Sequence, residues 1–256
     1  MIIDCFMFFN ELEILEIRLN ALAPFVDQFV LVESRVNHRG NPKPLVFEQH
    51  KQRFQQFNIK HIIMDGLPEG FTGTTDEILA YHLNFLATGL TDVGPDDIIL
   101  LADVDEIPDL THYTGGQGVF VQQAYYYYLN FREDRTVHWR GTTALKVNSL
   151  ARGPIAMWRA SRRKDKVIAP FPFHGGWHFS SIGTPEQMLE KFDSYSHQET
   201  DYPEKRQQIL ENRLNLRDPY YQVWRTHASM RNFHKEMPTG PQWLLDNKDR
   251  FAHLFL

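Results

Sequence analysis

The sequence predicts an α/β fold built on a mostly parallel sheet that is flanked by helices. Residues 98–101 read Ile-Ile-Leu-Leu, an apolar run typical of a strand that is buried on both faces of a parallel sheet. Two helical patterns, at 12–22 and 75–89, alternate with further strand patterns before that run. Strands that alternate with helices in this way indicate β-α-β units and a doubly wound sheet.

The elements of the first half begin at recognisable residues. Strands are predicted at 2–9, 28–33 and 61–64. Asn10 with Glu13 three residues later has the pattern of a capping box, which predicts the start of the first helix. Thr74 or Thr75 begins the second helix, and Gly89 ends it.

The second half has a different pattern. Strand patterns lie at 124–131 and 143–150 and around 171–180, and Thr184 followed by Pro185 predicts the start of a helix. Charged helical stretches continue towards the end of the chain. We therefore expect one domain, 1–256, in which a part formed by 1–115 meets a β-rich part formed by 116–256 with C-terminal helices.

Composition excludes several classes of protein. The chain has 256 residues, 42% of them hydrophobic, with a net charge of −5, so it can bury a large core and has no basic field for nucleic acid. Cys5 is the one cysteine, which excludes an internal disulfide and a multi-cysteine zinc site. The first residues lack the pattern of a signal peptide or a membrane anchor, and we expect a cytoplasmic protein. The sequence makes no prediction of oligomeric state.

Acidic residues follow the buried strand at 98–101. Asp103 and Asp105 stand two residues apart where the strand ends, and ligands of open α/β sheets bind at the carboxyl ends of strands. Two carboxylates so spaced suit Mg²⁺ or Mn²⁺, although a solvated acidic turn has the same pattern. Glu106 is equally consistent with an acid that orients a ligand and with a surface acid.

Four blocks of sequence resemble glycosyltransferase family 17. They read CFMFFNELEILEIRLNAL, FVLVES followed by NHRGNPKPL, DVDEIP and GGWHFS, and they extend from about Ile3 to Glu199. The resemblance implies a GT-A-type, Rossmann-like fold whose 1–115 part binds a nucleotide sugar and whose 116–256 part binds the acceptor. It also implies transfer of N-acetylglucosamine from UDP-N-acetylglucosamine to a glycan hydroxyl, with a divalent cation and with inversion at the sugar carbon.

Candidate site residues follow from the motifs and this resemblance. The predicted metal ligands are Asp103, Asp105 and His178, because carboxylate and imidazole suit Mn²⁺ or Mg²⁺. The predicted donor-binding residues are Glu33, Arg35, His38, Lys43, Asp103 and Trp177. The predicted base that deprotonates the acceptor is Glu186, with Asp193, His197 and Glu199 as alternatives.

Other interpretations of these motifs stay open at this point. The loop with Arg35, His38 and Lys43 is also typical of a solvated basic loop, and GGWHFS of a Gly-rich turn around a core Trp. The helix at 75–89 lacks the basic residues usual in the family, and His82 or Asn84 is the expected replacement. A metal-dependent phosphohydrolase and a non-catalytic protein that binds nucleotide sugars or glycans are the alternative functions.

Overall fold

A computed structural model describes residues 1–134, 139–164, 166–194, 203–219 and 232–256 of the chain. The helices in these ranges are α1 (Leu12–Leu22), α2 (Val46–His50), α3 (Thr75–Phe85), α4 (Ile155–Ser161), α5 (Pro185–Ser194), α6 (Pro203–Leu214) and α7 (Gln242–Asp246). Short 3₁₀ helices lie at Lys51–Phe54, Leu86–Gly89, Val147–Arg152 and Lys248–Leu254. None of the helices in the described ranges is long and apolar enough to cross a membrane.

Ten strands of the described residues form one mixed sheet. They are β1 (Ile2–Phe8), β2 (Gln28–Ser34), β3 (Ile59–Met64), β4 (Ile98–Asp103), β5 (Glu106–Pro108), β6 (Gly118–Tyr126), β7 (Phe131–Glu133), β8 (Trp139–Lys146), β9 (Gly176–Ser180) and β10 (Phe233–Lys235). The main path runs in the order β10-β7-β6-β8-β4-β1-β2-β3, and β9 pairs with β5 and β6 beside it.

The parallel part of the sheet is the order β4-β1-β2-β3. Cys5 of β1 lies between Val30 of β2 and Leu101 of β4, and all three strands run the same way. From β1 the chain moves outward to β2 and β3, and then crosses to the other side of β1 to form β4. The carboxyl ends of β1 and β4 therefore meet where the strand order reverses, which is the position at which α/β sheets bind ligands.

The predicted burial of the central strand is confirmed. Ile99, Leu100 and Leu101 have no exposed surface. Leu100 packs in a cluster with Phe6 and α1, whereas Leu101 packs on the opposite face of the sheet with Cys5. The strand therefore contributes side chains to two cores, as expected of a strand covered by helices on both sides.

Two local predictions for the first half have different outcomes. The start of α3 is confirmed at Thr74, one of the two predicted positions, which accepts a hydrogen bond from the backbone N–H of Glu77 and forms a capping box with it. The predicted cap of α1 is wrong, because the helix begins after Glu11 without a side-chain cap. The Asn10 amide donates instead to Glu190 of α5, 2.7 Å away, so that residue joins distant elements.

The second half is antiparallel where it meets the parallel strands. β8 pairs antiparallel with β4, and β6 pairs antiparallel with β8. The predicted strand at 124–131 ends early, because Tyr127 adopts a left-handed conformation with φ of 65°. β9 runs parallel to β6 and antiparallel to β5, which brings the GGWHFS segment to the residues that follow β4.

Candidate active site

The acidic turn, residues 103–106, joins β4 to β5 at the point where the strand order reverses. The Asp103 side chain is 51% exposed, while Asp105 is buried and Glu106 has no exposed surface. Asp103 ends β4, and Glu106 begins β5 opposite His178 of β9. The turn therefore carries one carboxylate that reaches solvent and two that are held inside the protein.

Glu106 is the anchor of the turn. It accepts hydrogen bonds from Arg159 at 2.8 Å, Arg162 at 2.7 Å and the indole N–H of Trp139 at 2.6 Å. It also accepts a bond from the backbone N–H of Asp103 at 3.1 Å. A buried carboxylate with four donors is a structural centre, so the surface interpretation of this acid is wrong.

Asp103 lies at the solvent side of the same cluster. Its carboxylate accepts a hydrogen bond from Arg159, the guanidinium that also holds Glu106. Desolvation at the strand ends raises the pKa of Asp103 to about 7, and the negative charges of Glu106 and Asp105 raise it further while Arg159 opposes the shift. A cation that approaches the exposed half of this carboxylate would relieve that repulsion.

Asp105 faces two other elements. One carboxylate oxygen accepts a hydrogen bond from the ammonium of Lys191 on α5 at 2.7 Å, and the same ammonium lies 2.9 Å from Glu11. The second oxygen lies 3.7 Å from Nε2 of His178. Lys191 thus joins the loops after β1 and β4, while Asp105 keeps one oxygen directed towards the histidine.

His178 is fixed by packing. Its ring stacks on Trp139 at a centroid distance of 4.4 Å, and burial lowers the pKa of this histidine. The imidazole is therefore neutral at physiological pH and able to coordinate a metal ion. Its buried Nδ1, like Nε and Nη1 of Arg159, has no hydrogen-bond partner among the described residues.

The donor atoms fit a hard divalent cation. Oxygens of Asp103 and Asp105 with Nε2 of His178 are the ligand types that Mn²⁺ accepts, and Mg²⁺ accepts the carboxylates. The carboxylates of Glu11, Asp103, Asp105 and Glu106 outnumber by one the cations of Arg159, Arg162 and Lys191 that contact them. The formal excess of one negative charge is consistent with a bound cation, although in the described residues no three such ligands are already gathered around one point.

The loop after β2 carries the predicted donor-binding residues. His38 is packed against His82 with ring centroids 5.2 Å apart, and desolvation lowers the pKa of His38 to about 4. Lys43 lies over the ring of Phe9, 5.1 Å from its centroid, and burial lowers the pKa of this lysine. Both residues are half-buried, and Lys43 lies beside the carboxyl end of β1 through its contact with Phe9. Donor binding by these two residues stays a prediction.

Two other predicted donor-binding residues contact protein groups. Both oxygens of Glu33 accept hydrogen bonds from the start of α2, from the N–H groups of Phe47 at 2.8 Å and Glu48 at 3.2 Å, and the side chain has no exposed surface. Arg35 points to solvent and pairs with Asp65. The geometry gives Glu33 a capping role, and donor binding by these two residues stays a prediction.

Residues 1–255 match the family model described as glycosyltransferase family 17. The chain belongs to glycosyltransferase family 17. The human and mouse β-1,4-mannosyl-glycoprotein 4-β-N-acetylglucosaminyltransferases are 30% and 29% identical to it over 109 residues. Each alignment covers 39% of this chain and 20% of the relative, so the matched part is a fifth of the relative's length. The crystal structure of the Streptococcus pneumoniae glycosyltransferase GlyE aligns with 90% of this chain and 57% of its own, at 11% identity and a TM-score of 0.31.

The two residues expected to replace basic side chains in the helix at 75–85 have different surroundings. Asn84 accepts a hydrogen bond from the backbone of Ala156 at 2.9 Å and so secures the start of α4. His82 is buried, desolvation lowers its pKa to about 3, and neither ring nitrogen has a hydrogen-bond partner among the described residues. Of the two expected replacements, His82 is the one that packs against His38 of the loop after β2.

The GGWHFS segment of this family-17 chain holds its tryptophan against protein. Trp177 pairs with Ile107 of β5 and packs on the main core, with His174 edge-on to its ring at 5.2 Å. The indole remains partly exposed. The packing of Trp177 on the core is therefore observed, whereas its stacking on a sugar stays a prediction.

The candidate bases lie on α5 or outside the described residues. Glu186 is exposed in the first turn, and hydrogen bonds from its own backbone N–H and from Thr184 lower its pKa. Asp193 forms an ion pair with Arg206 of α6. At 100° per residue, Glu186 projects roughly 140° and Asp193 roughly 160° away from Lys191. His197 and Glu199 lie outside the described residues, and the identity of the base stays a prediction.

Sequence patterns did not identify the cations of the site. Arg159 comes from α4, a short helix that begins at a Pro N-cap without an acidic first turn, Arg162 directly follows that helix, and Lys191 comes from α5. The cluster RASRR at 159–163 was a signal that basic side chains are concentrated there. Glu190 was also missed, and it contacts Asn10 at the loop after β1.

Proposed function

We propose that this family-17 chain is an inverting glycosyltransferase of the GT-A type. It transfers N-acetylglucosamine from UDP-N-acetylglucosamine to a hydroxyl group of a glycan, using a divalent cation, and it acts in the cytoplasm. One observation carries the proposal: where the strand order reverses, the acidic turn presents Asp103 to solvent and Asp105 at 3.7 Å from His178, in a chain whose whole length matches the family model.

The acidic turn would hold the cation. Asp103, Asp105 and His178 supply oxygen and nitrogen ligands, and a bound Mn²⁺ or Mg²⁺ would stabilise the charge that develops on the departing diphosphate. Arg159 and Lys191 already fix the carboxylates of Asp103 and Asp105. Little side-chain conformational entropy would therefore be lost when the donor binds. Water is limited at Asp105 and His178 because both are buried.

The donor would extend from the acidic turn towards the loop after β2. Lys43 and the neutral His38 would contact nucleotide base or phosphate, and Trp177 would contact the sugar through the part of its indole that is exposed. A neutral imidazole offers one donor and one acceptor, which suits the edge of a uracil ring. The ammonium of Lys43 suits a phosphate.

Inversion requires a single displacement at the sugar carbon. The acceptor hydroxyl attacks opposite the diphosphate, so an α-linked donor gives a β-linked product, and one base must remove the hydroxyl proton. Glu186 is the proposed base, an exposed carboxylate that projects away from Lys191 but shares the face of α5 with Glu190, which contacts the loop after β1 one turn later. Product NMR tests this step, and an α-linkage would refute inversion.

Thermal-shift measurements with nucleotide sugars and Mn²⁺ test the donor. We expect UDP and UDP-N-acetylglucosamine to raise the melting temperature, because a ligand that binds only the folded state stabilises it by mass action. GDP- and CMP-sugars should give no shift. A response to a GDP- or CMP-sugar without one to UDP compounds would overturn the donor assignment.

Transfer assays with a matched pair of variants test catalysis. Asp105→Asn keeps the shape of the side chain but removes its charge, so transfer from UDP-N-acetylglucosamine should fall by roughly two or more orders of magnitude. Asp96→Asn changes an exposed acid before the same strand, which pairs with Lys146, and should retain transfer. Nucleotide binding without turnover would indicate a binding protein, and release of phosphate without transfer would indicate a phosphohydrolase.

A further inference from the structure

Arg18 lies beneath the acidic turn and has no exposed surface. Its guanidinium forms a two-pronged ion pair with Asp4 of β1, with Nε and Nη2 donating at 2.8 and 2.6 Å. The guanidinium carbon lies 4.7 Å from the centre of the Phe6 ring. Asp4 is also fully buried, so the pair is enclosed between α1 and the parallel strands.

The remaining nitrogen of Arg18 binds the backbone of the turn. Nη1 donates to the carbonyl oxygens of Asp103 at 3.1 Å, Val104 at 3.3 Å and Glu106 at 2.7 Å. The fourth carbonyl, of Asp105, accepts from the N–H of Phe179 at 2.9 Å. Every carbonyl of residues 103–106 therefore has a donor, and one side chain supplies three of the four.

Stability is a weak explanation for such an arrangement. Two fully buried charges carry a large desolvation cost, and well-packed apolar residues in their place often leave a protein equally stable. An arginine does here what an apolar residue cannot, because its planar fork holds Asp4 on one side and the carbonyls on the other. The contacts with the turn, rather than the ion pair alone, are specific to this residue.

We propose that Arg18 is a positioning residue that fixes the backbone of the acidic turn and thereby the directions of the Asp103 and Asp105 carboxylates. With the carbonyls drawn inward to one nitrogen, the side chains of the turn project from a single backbone conformation. The consequence for cation and donor binding rests on the proposed function. The effect on the turn itself does not depend on that function.

The experiment uses the full chain with Asp4→Leu/Arg18→Met, which replaces the pair by apolar residues of similar size. In the folded double variant, amide hydrogen exchange in residues 104–107 should be about tenfold or more faster than in the parent chain. Mn²⁺ affinity, measured by titration without substrate, should fall roughly 10- to 100-fold, as when other outer partners of metal ligands are removed. Arg53→Met, which removes an arginine that pairs with Glu16, should change neither quantity.

Arg18→Lys provides a second measurement. It keeps the charge opposite Asp4, but an ammonium cannot reproduce the fork, so we expect the same two changes. Unchanged exchange and unchanged Mn²⁺ affinity in either folded variant would overturn the proposal, and so would failure of both variants to fold. If the parent chain bound no Mn²⁺ and transferred no sugar, the proposed function would fail, while hydrogen exchange would still decide the role of Arg18.

Discussion

Replacing Glu106 by Gln should destabilise the protein strongly, although this residue lies in a turn. The carboxylate has no exposed surface and accepts from Arg159, Arg162 and Trp139. Gln keeps the size of the side chain but loses its charge. Its amide nitrogen would also face N–H groups that now donate to the Glu106 carboxylate, and two N–H groups cannot form a hydrogen bond with each other. Removing one partner of a buried ion pair leaves an uncompensated charge and costs about 3–5 kcal/mol. Here Arg159, 7% exposed, would keep the half-exposed Asp103, whereas Arg162, 9% exposed, would lose its carboxylate partner.

Urea and thermal unfolding measure that cost directly. About 3–5 kcal/mol corresponds to a fall of roughly 6–20 °C in melting temperature for a domain of this size. The matched control is Glu48→Gln, because Glu48 pairs with Lys51 on the surface and an exposed pair contributes at most about 1 kcal/mol. A loss below about 1 kcal/mol for Glu106→Gln would refute the view that this carboxylate is the anchor of the turn.

Three further predictions concern the ionisation, the metal and the base. The pKa of Asp103 is raised to about 7, so between about pH 4 and 7 the folded chain holds a proton that the unfolded chain has released, and stability should fall as pH rises through that window. Asp103→Asn should flatten this fall in urea unfolding at several pH values; an unchanged slope would contradict the assignment. His178→Gln should weaken Mn²⁺ binding roughly 10-fold or more in a titration while the fold is kept, and equal affinity would remove His178 from the metal ligands. Glu186→Gln should lower kcat far more than donor affinity, and a near-parental kcat together with a large loss in Glu190→Gln would give the role to Glu190.

The parallel half of the fold could be predicted because local signals and tertiary structure agree there. The apolar run at 98–101 is buried on both faces, and Thr74, one of the two predicted start residues, is the N-cap of α3. Asn10 shows the limit of such reasoning. Its sequence pattern is that of a helix cap, yet a partner 180 residues away on α5 takes its amide.

The position of the acids of the candidate site could be predicted, whereas their counterions could not. Asp103 and Asp105 are adjacent in sequence to the strand that positions them, so one motif shows both the residues and their place. Arg159 and Lys191 reach the same turn from 56 and 86 residues away. Nothing in a helical pattern specifies which face will meet a distant turn, and that information appears only when the strands are paired.

The arrangement of these distant residues holds in place a turn that reaches solvent at Asp103. Arg18 and Phe179 hold its carbonyls from below, while Arg159 and Lys191 hold its carboxylates from the side. Neither set of contacts replaces the other, because the first fixes the backbone and the second fixes side-chain rotation. A turn constrained in both ways loses little conformational entropy when a ligand binds, so more of the binding free energy is available to stabilise the transition state. Loss of the guanidinium beneath the turn should therefore affect ligand geometry even where the carboxylates remain.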